Sequence, residues 1–233
     1  MNYQFDWHLI LSGENAQWLK EGFFMTLEIS AVSIFFSILV GTIIAVFRMS
    51  KVKPLEWISL AYTEFFRNTP LLVQIFFWYF GSEAVLPKAV NEWLYARDFE
   101  FLAGVISLTV YSSAFIAEEI RSGIFSIPKT QLEASRAAGL SFMQAMGYVI
   151  LPQAFRIIVP PLISQCLNVI KNSSLVMTIG VAELTYMARQ IESYTFHGFE
   201  AFTVSTLLYI AISLLVSISM NVYEKHFLRT VRY

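Results

Sequence analysis

Between Glu28 and Arg48 no residue from Ile29 to Phe47 carries a charge, and Ala201 to Tyr223 is likewise uncharged throughout. At ~1.5 Å per residue the first run, with its flanks, nearly covers a hydrocarbon layer ~30 Å thick. No soluble core needs apolar segments of that length, so the chain is read as an all-α integral membrane protein. Composition agrees: 56% of the 233 residues are hydrophobic and 14% charged, with a mean hydropathy of +0.58. The net charge of −1, with no dense cluster of lysine and arginine, excludes nucleic acid as a partner. Cys166 is the single cysteine, which excludes an intrachain disulfide and a cysteine metal site. The N-terminus, MNYQFDWHLI, lacks a positive n-region and an early apolar core, so no cleaved signal peptide is expected and the first spanning helix should direct insertion.

Taken in order, the sequence predicts five spans, about 23–47, 57–82, 101–120, 152–171 and 201–223, forming one transmembrane domain over residues 1–233. Arg48, Lys51, Lys53 and Pro54 make a tight positive hairpin after the first. The second is interrupted early by EFFRNTP, and its uncharged part, Asn68 to Ser82, is too short to cross alone. Glu83 to Glu100 reads as an exterior loop with a short amphipathic helix. The fourth span contains Pro160 and Pro161, so it is expected to kink or restart there. From Val181, VAELTYMARQIESYTF alternates apolar and charged residues at helical spacing, as in a helix lying at the exterior surface.

Five spans put the termini on opposite sides. Nine cations (Arg48, Lys51, Lys53, Arg121, Lys129, Arg136, Lys225, Arg229, Arg232) then fall on one side, and four (Lys20, Lys88, Arg97, Arg189) on the other. By the positive-inside rule the N-terminus is outside and the C-terminus cytoplasmic, which puts the loop at 126–152 in the cytoplasm.

That loop carries the sharpest local signals. Thr130 with Glu133 has the form of a capping box, predicting a short helix from Gln131 that stops at Gly139 after about two turns. Ser141 with Gln144 repeats the pattern and predicts a second short helix ending near Pro152. Ala134, Ala137, Ala138 and Gly139 leave backbone open at the elbow, as a surface closely approached by another protein requires. A solvated, well-capped loop explains the alanines equally well, alanine being the best helix former.

Glu133, Ala134, Gly139, Leu151 and Pro152 resemble the signature loop of ATP-binding-cassette importer permeases: glutamate, two alanines, three residues, glycine, nine residues, isoleucine, one residue, leucine, proline. Ser135 and Val149 depart from it, and each keeps a small or β-branched side chain. FRNTPLLVQ at Phe66 to Gln74, EEIRSGIFSIP at Glu118 to Pro128 and IKNSSL at Ile170 to Leu175 are similar to the polar amino-acid branch, notably its glutamate/aspartate and glutamine systems. The resemblance implies a bacterial cytoplasmic (inner) membrane, two ATPase subunits docked through Glu133, Ala134, Ala137, Ala138, Gly139, Leu140, Leu151 and Pro152, a second permease subunit, and an extracytoplasmic amino-acid-binding protein. It implies no cofactor on this chain, ATP being bound by the partner subunits.

Charges within a membrane are costly and mark function, and Arg67 and Lys171 stand out. Each lies beside short polar side chains on an interrupted span: Asn68, Thr69 and Gln74 in one case, Asn172, Ser173 and Ser174 in the other. Such groups suit a zwitterionic polar amino acid, and proline-interrupted spans point to binding sites by analogy with secondary transporters. Two plainer readings stand beside this one: Glu64, one turn earlier, neutralises Arg67, and Lys171 snorkels to the headgroups. Glu118 and Glu119 are read as paired by Arg121 or Arg156, with gating as the alternative. The NSS at Asn172 fits a glycosylation acceptor by pattern but lies at a membrane segment.

No GxxxxGK[ST] occurs, so ATP hydrolysis is expected on a separate chain, and His8, His197 and His226 all fall outside the spans, which disfavours an intramembrane enzyme. A transport subunit is expected. An ATPase-independent channel or ion-coupled carrier is the alternative, and it leaves the loop's spacing unexplained. A purely structural scaffold leaves Arg67 and Lys171 without a role.

Overall fold

The structure, a computed structural model, describes residues 3–223, and these are helical with short connections. Lys225, His226, Arg229 and Arg232 lie outside the described residues. In order come α1 (Trp7–Leu11), α2 (Gly13–Met49), α3 (Lys53–Arg67), α4 (Leu71–Val85), α5 (Lys88–Tyr95) and α6 (Phe99–Phe125). Then come α7 (Lys129–Ala137), α8 (Phe142–Ala145), a π-helical turn (Met146–Ile150), α9 (Leu151–Asn172), a 3-10 stretch (Ser173–Ile179), α10 (Leu184–Thr195) and α11 (Gly198–Tyr223). Among the described residues four helical runs are long and apolar enough to cross a membrane: Gly13–Met49, Phe99–Phe125, Phe142–Ile179 and Gly198–Met220.

The interruption expected at EFFRNTP is a full break between two helices. Pro70 has no N–H to donate and biases Thr69 out of helical geometry, so α3 stops at Arg67 and α4 restarts with Pro70 as its N-cap. The second loop helix does not end at Pro152. After α8 the backbone widens into the π turn, with the Leu151 N–H reaching the Met146 carbonyl, and passes directly into α9. Widening at this point relieves the clash between a proline ring and the carbonyl four residues earlier. α9 also runs on through Pro160 and Pro161 without restarting.

The fold gathers into two compact units. The first takes the chain up to Phe35, Thr69–Thr109 and Leu167–Val216. Its core joins Ile10 and Leu19 to Leu184, Ala188, Ile191 and Ala201. The positions 184, 188 and 191 form one face of α10, so the periodicity read from the sequence marks a face buried in protein. The second unit takes Phe36–Asn68, Val110–Cys166 and the segment from Ser217. Ile44 and Ala45 pack there on Ala117, and Ile127 packs on Ile150, Ala154 and Ile158. α2 and α6 approach closely in this unit because Gly41 has no side chain. A Cβ there would stand 2.6 Å from Ile116 Cγ2 and 3.0 Å from the Ser113 carbonyl oxygen. Such small-residue contacts are how helices pack where lipid supplies no hydrophobic drive.

Candidate functional site

The elbow is built by backbone chemistry. Pro128, at φ −56°, is the N-cap of α7, so the helix starts at Lys129 and Thr130 falls inside its first turn without capping it. This corrects the start expected at Gln131. At the other end, the Gly139 N–H donates to the Arg136 carbonyl (3.0 Å) and the Leu140 N–H to the Ser135 carbonyl (3.2 Å). That pair of bonds is a Schellman stop, and it requires the left-handed conformation that Gly139 adopts at φ +90°. The Arg136 guanidinium closes the turn by donating to the Leu140 carbonyl at 3.0 Å. Two residues on, the capping box is formed in full: the Gln144 N–H reaches the Ser141 hydroxyl (3.3 Å), and the Ser141 N–H reaches the Gln144 side chain (2.8 Å).

α7 thus has two faces. Ser135 is buried and Leu132 packs beside Ile127 and Ile150, whereas Glu133, Ala134, Ala137, Ala138 and Gly139 are exposed, with Leu140 half-buried. Leu151 and Pro152 are exposed as well. So are Phe142, Met143 and Tyr148, at 54%, 77% and 75%, which sequence reasoning did not single out. The signal was available: a helix starting after Ser141 with two large apolar residues in its first turn has no use for them in water.

Arg67 closes α3 in the second unit. Its guanidinium lies over the Phe115 ring, 5.4 Å from the centroid, and makes no ion pair among the described residues. Glu64 is engaged instead by the Asn68 side-chain amide, at 3.1 Å to its carboxylate. The plainer reading, an Arg67–Glu64 pair, is therefore not what the structure shows: the cation rests on an aromatic face. In the same unit Glu118 accepts from Arg121, at 3.0 Å from Nε, with a second, shorter bond from Nη2. The pairing read from the sequence is present for Glu118, while Glu119 and Arg156 make no ion pair among the described residues.

In the first unit Gln74 is buried and donates to the Thr69 hydroxyl at 2.7 Å. α4 packs there against the 3-10 stretch. Lys171 is exposed at the end of α9, and no ion pair involves it among the described residues. Asn172 is half-buried. Ser173 is buried, its hydroxyl donating to the Ile170 carbonyl at 2.7 Å, and the Ser174 hydroxyl does the same to Lys171 at 2.8 Å. Each serine keeps only acceptor capacity for a ligand.

Glu183 escaped the sequence reading. It is fully buried, caps α10 through the backbone N–H groups of Thr185 (3.0 Å) and Tyr186 (2.9 Å), and accepts from the Tyr209 hydroxyl. Burial pushes its carboxyl upward from the usual range, and these donors hold the shift back. Its position in an alternating polar segment gave no sign of burial.

Helical over its described residues, with several membrane-length helices and an exposed, capped elbow, the chain matches relatives that are permease subunits, transport components rather than enzymes. It belongs to the family of binding-protein-dependent transport system inner membrane components, which matches residues 37–232. It is 41% identical over 212 residues to the probable glutamine ABC transporter permease protein GlnM of Bacillus subtilis (strain 168), covering 91% of this chain and 94% of that one. It is 34% identical over 213 residues to the glutamate/aspartate import permease protein GltJ of Escherichia coli (strain K12), covering 89% and 86%. A crystal structure of an amino acid ABC transporter with histidines superposes with a TM-score of 0.85 at 32% identity, covering 97% of this chain and all of that one. An inward-facing MetNI methionine ABC transporter structure shares the fold, with a TM-score of 0.68 at 22% identity, covering 89% and 95%.

Proposed function

We propose that this chain is the membrane-spanning permease of an ATP-driven importer of polar amino acids, with residues 1–233 forming one permease domain. The exposed elbow at Glu133, Ala134, Ala137, Ala138 and Gly139 carries the reading: its stop is fixed by backbone hydrogen bonds while its outward face is left bare. As in its family, the chain works with ATPase subunits, which bind the nucleotide, and with a second permease. ABC permeases among the relatives leave an ATPase-independent channel or carrier unsupported.

Two ATPase subunits dock on the cytoplasmic elbow, with Leu140, Leu151 and Pro152 bordering the contact, and an extracytoplasmic binding protein delivers the amino acid. The N-terminus lies outside. α3 and α4, each 15 residues long, together make a fifth crossing, since neither alone covers ~30 Å. Arg67 and Asn68 at the end of α3, Thr69 and Gln74 at the start of α4, and Lys171, Asn172, Ser173 and Ser174 at the end of α9 are, each within its own unit, residues of the substrate path. Glu64, Glu118 and Arg121 set the charge around it. Nucleotide-driven closure of the ATPases moves the elbow as a rigid lever and favours one access state over the other, which is what coupling requires.

Vesicles holding the complete importer and offered L-glutamate, L-glutamine and L-arginine test this. ATP-dependent uptake is expected, and Arg67→Gln and Lys171→Gln should lower it or change its preference while basal hydrolysis persists. Unchanged rates and preference in both variants would remove those residues from the path, and uptake without the ATPase subunits would refute the importer itself.

A further inference from the structure

α10 buries Leu184, Ala188 and Ile191, and its other face borders a cavity of about 360 Å³, lined by Met177, Tyr186, Arg189, Gln190, Ser193 and Tyr194. That volume lies within the range of small-molecule sites. Arg189 is the one charged side chain in the lining, is exposed, and makes no ion pair among the described residues. The acidic groups of its own segment are directed elsewhere. Glu183 is buried under α10 and held by Thr185, Tyr186 and Tyr209, while Glu192 lies against Gly198, where an added Cβ would come within 2.8 Å of its Cγ. Tyr194 is braced by the Trp18 ring at 5.6 Å. The Ser193 hydroxyl is spent on the Gln190 carbonyl at 2.8 Å, so the lining offers one uncompensated guanidinium, two phenols and an amide as donors, a set that fits a carboxylate and leaves a cation without a countercharge. Met177 lies in the 3-10 stretch that begins at Ser173, ~8 Å along its axis at ~2 Å per residue, so the cavity adjoins the proposed substrate path.

We infer that this cavity is a receiving site for the carboxylate of the incoming amino acid, with Arg189 as its anchor. The inference rests on the importer reading, in which α10 lies on the exterior side. Its distinguishing chemistry is a fork of guanidinium donors that lysine cannot reproduce.

Two measurements test it on the permease–ATPase complex. In vesicles completed with the binding protein, L-glutamine uptake is followed against the concentration of loaded binding protein. Arg189→Gln should lower the maximal rate on the order of tenfold, as expected for loss of a charge-assisted hydrogen bond, with Arg189→Lys intermediate and the half-saturating binding-protein concentration unchanged. An unchanged maximal rate overturns the site, and a rise in half-saturation alone overturns it too, because Arg189 would then meet an acidic side chain of the delivering protein. Saturation-transfer NMR on the purified complex supplies the second readout. L-glutamine should bind, its analogue with the α-carboxylate converted to an amide should not, and Arg189→Gln should abolish the difference; equal binding of both overturns the site. If the wild type binds the carboxylate yet transports nothing, the importer reading fails and the site stands.

Discussion

Replacing Gly139 by alanine isolates the backbone contribution to the elbow. A Cβ built at Gly139 meets nothing within 4 Å, so the added methyl collides with no atom of the chain. What it opposes is the φ of +90°, a left-handed conformation that costs an L-residue roughly 1–2 kcal/mol. That corresponds to about a 5–30-fold loss in the population of the Schellman turn against its alternatives. Gly13 supplies the control, since it has φ +60° and equally open space but lies at the start of α2. Gly13→Ala should carry a similar strain without touching the elbow. Asparagine tolerates this region and valine does not, so coupled uptake per ATP hydrolysed should rank Gly139 above Asn, Asn above Ala, and Ala above Val. The assay is uptake and hydrolysis measured together in vesicles, with retention of the ATPase subunits through purification as a second readout. If Gly139→Ala couples as well as Gly13→Ala, or if Asn and Val behave alike, the fixed elbow is not what transmits the motion.

Gly41→Ala should destabilise the second unit by about 1–3 kcal/mol through overpacking against Ile116. Combining it with Ile116→Ala in thermal melts should be non-additive, and strictly additive losses would deny the contact. Glu183 gives a pH signature. Its folded carboxyl is raised by burial, so its stabilising contribution is complete below the unfolded carboxylate range and is lost as pH rises through the raised value. Glu183→Gln should flatten the fall in melting temperature as pH rises above the usual carboxylate range, and parallel slopes in the two proteins would refute this. For topology, single cysteines at Lys53 and Thr130 in a Cys166→Ser background should resist impermeant reagents in intact cells while one at Glu92 reacts. Glu92 serves better than its neighbour Asn91, which is buried with its amide on the Leu86 carbonyl at 3.1 Å. Labelling at Thr130 from outside would invert the orientation.

What the sequence made legible was governed by local chemistry. The uncharged runs needed only length, the Ser141–Gln144 box only two side chains and two N–H groups, and the Gly139 stop only the freedom of glycine. The Thr130–Glu133 box failed because an equally local signal outranked it: Pro128 had already fixed the entry to the helix two residues earlier. Where distant residues decide, the pattern fell silent. Spacing offered Glu64 as one partner for Arg67, beside a role toward substrate, but Phe115, on α6, offered it another surface. Glu183 sits among charged and polar residues and reads as solvated, until Tyr209 and the core beneath α10 enclose it.

The bonds that close the first unit join residues far apart in synthesis. The Leu184 N–H reaches the Thr26 hydroxyl at 3.1 Å across 158 positions, and Glu200 accepts from the Asp6 N–H at 2.9 Å and from the Tyr3 hydroxyl, across 194 and 197. At roughly 5–20 residues per second, Thr26 waits about 8–30 s for its partner to be made. The second unit's contacts among α2, α3 and α6 involve no residue later than Phe125, so they are available well before that. Until Leu184 is made, the Thr26 hydroxyl on α2 has only its own helix to bond, donating to the Gly22 carbonyl at 2.9 Å. A chain truncated before Leu184 leaves Thr26 without the N–H it accepts in the finished fold, so the first unit closes only after most of the protein has been synthesised.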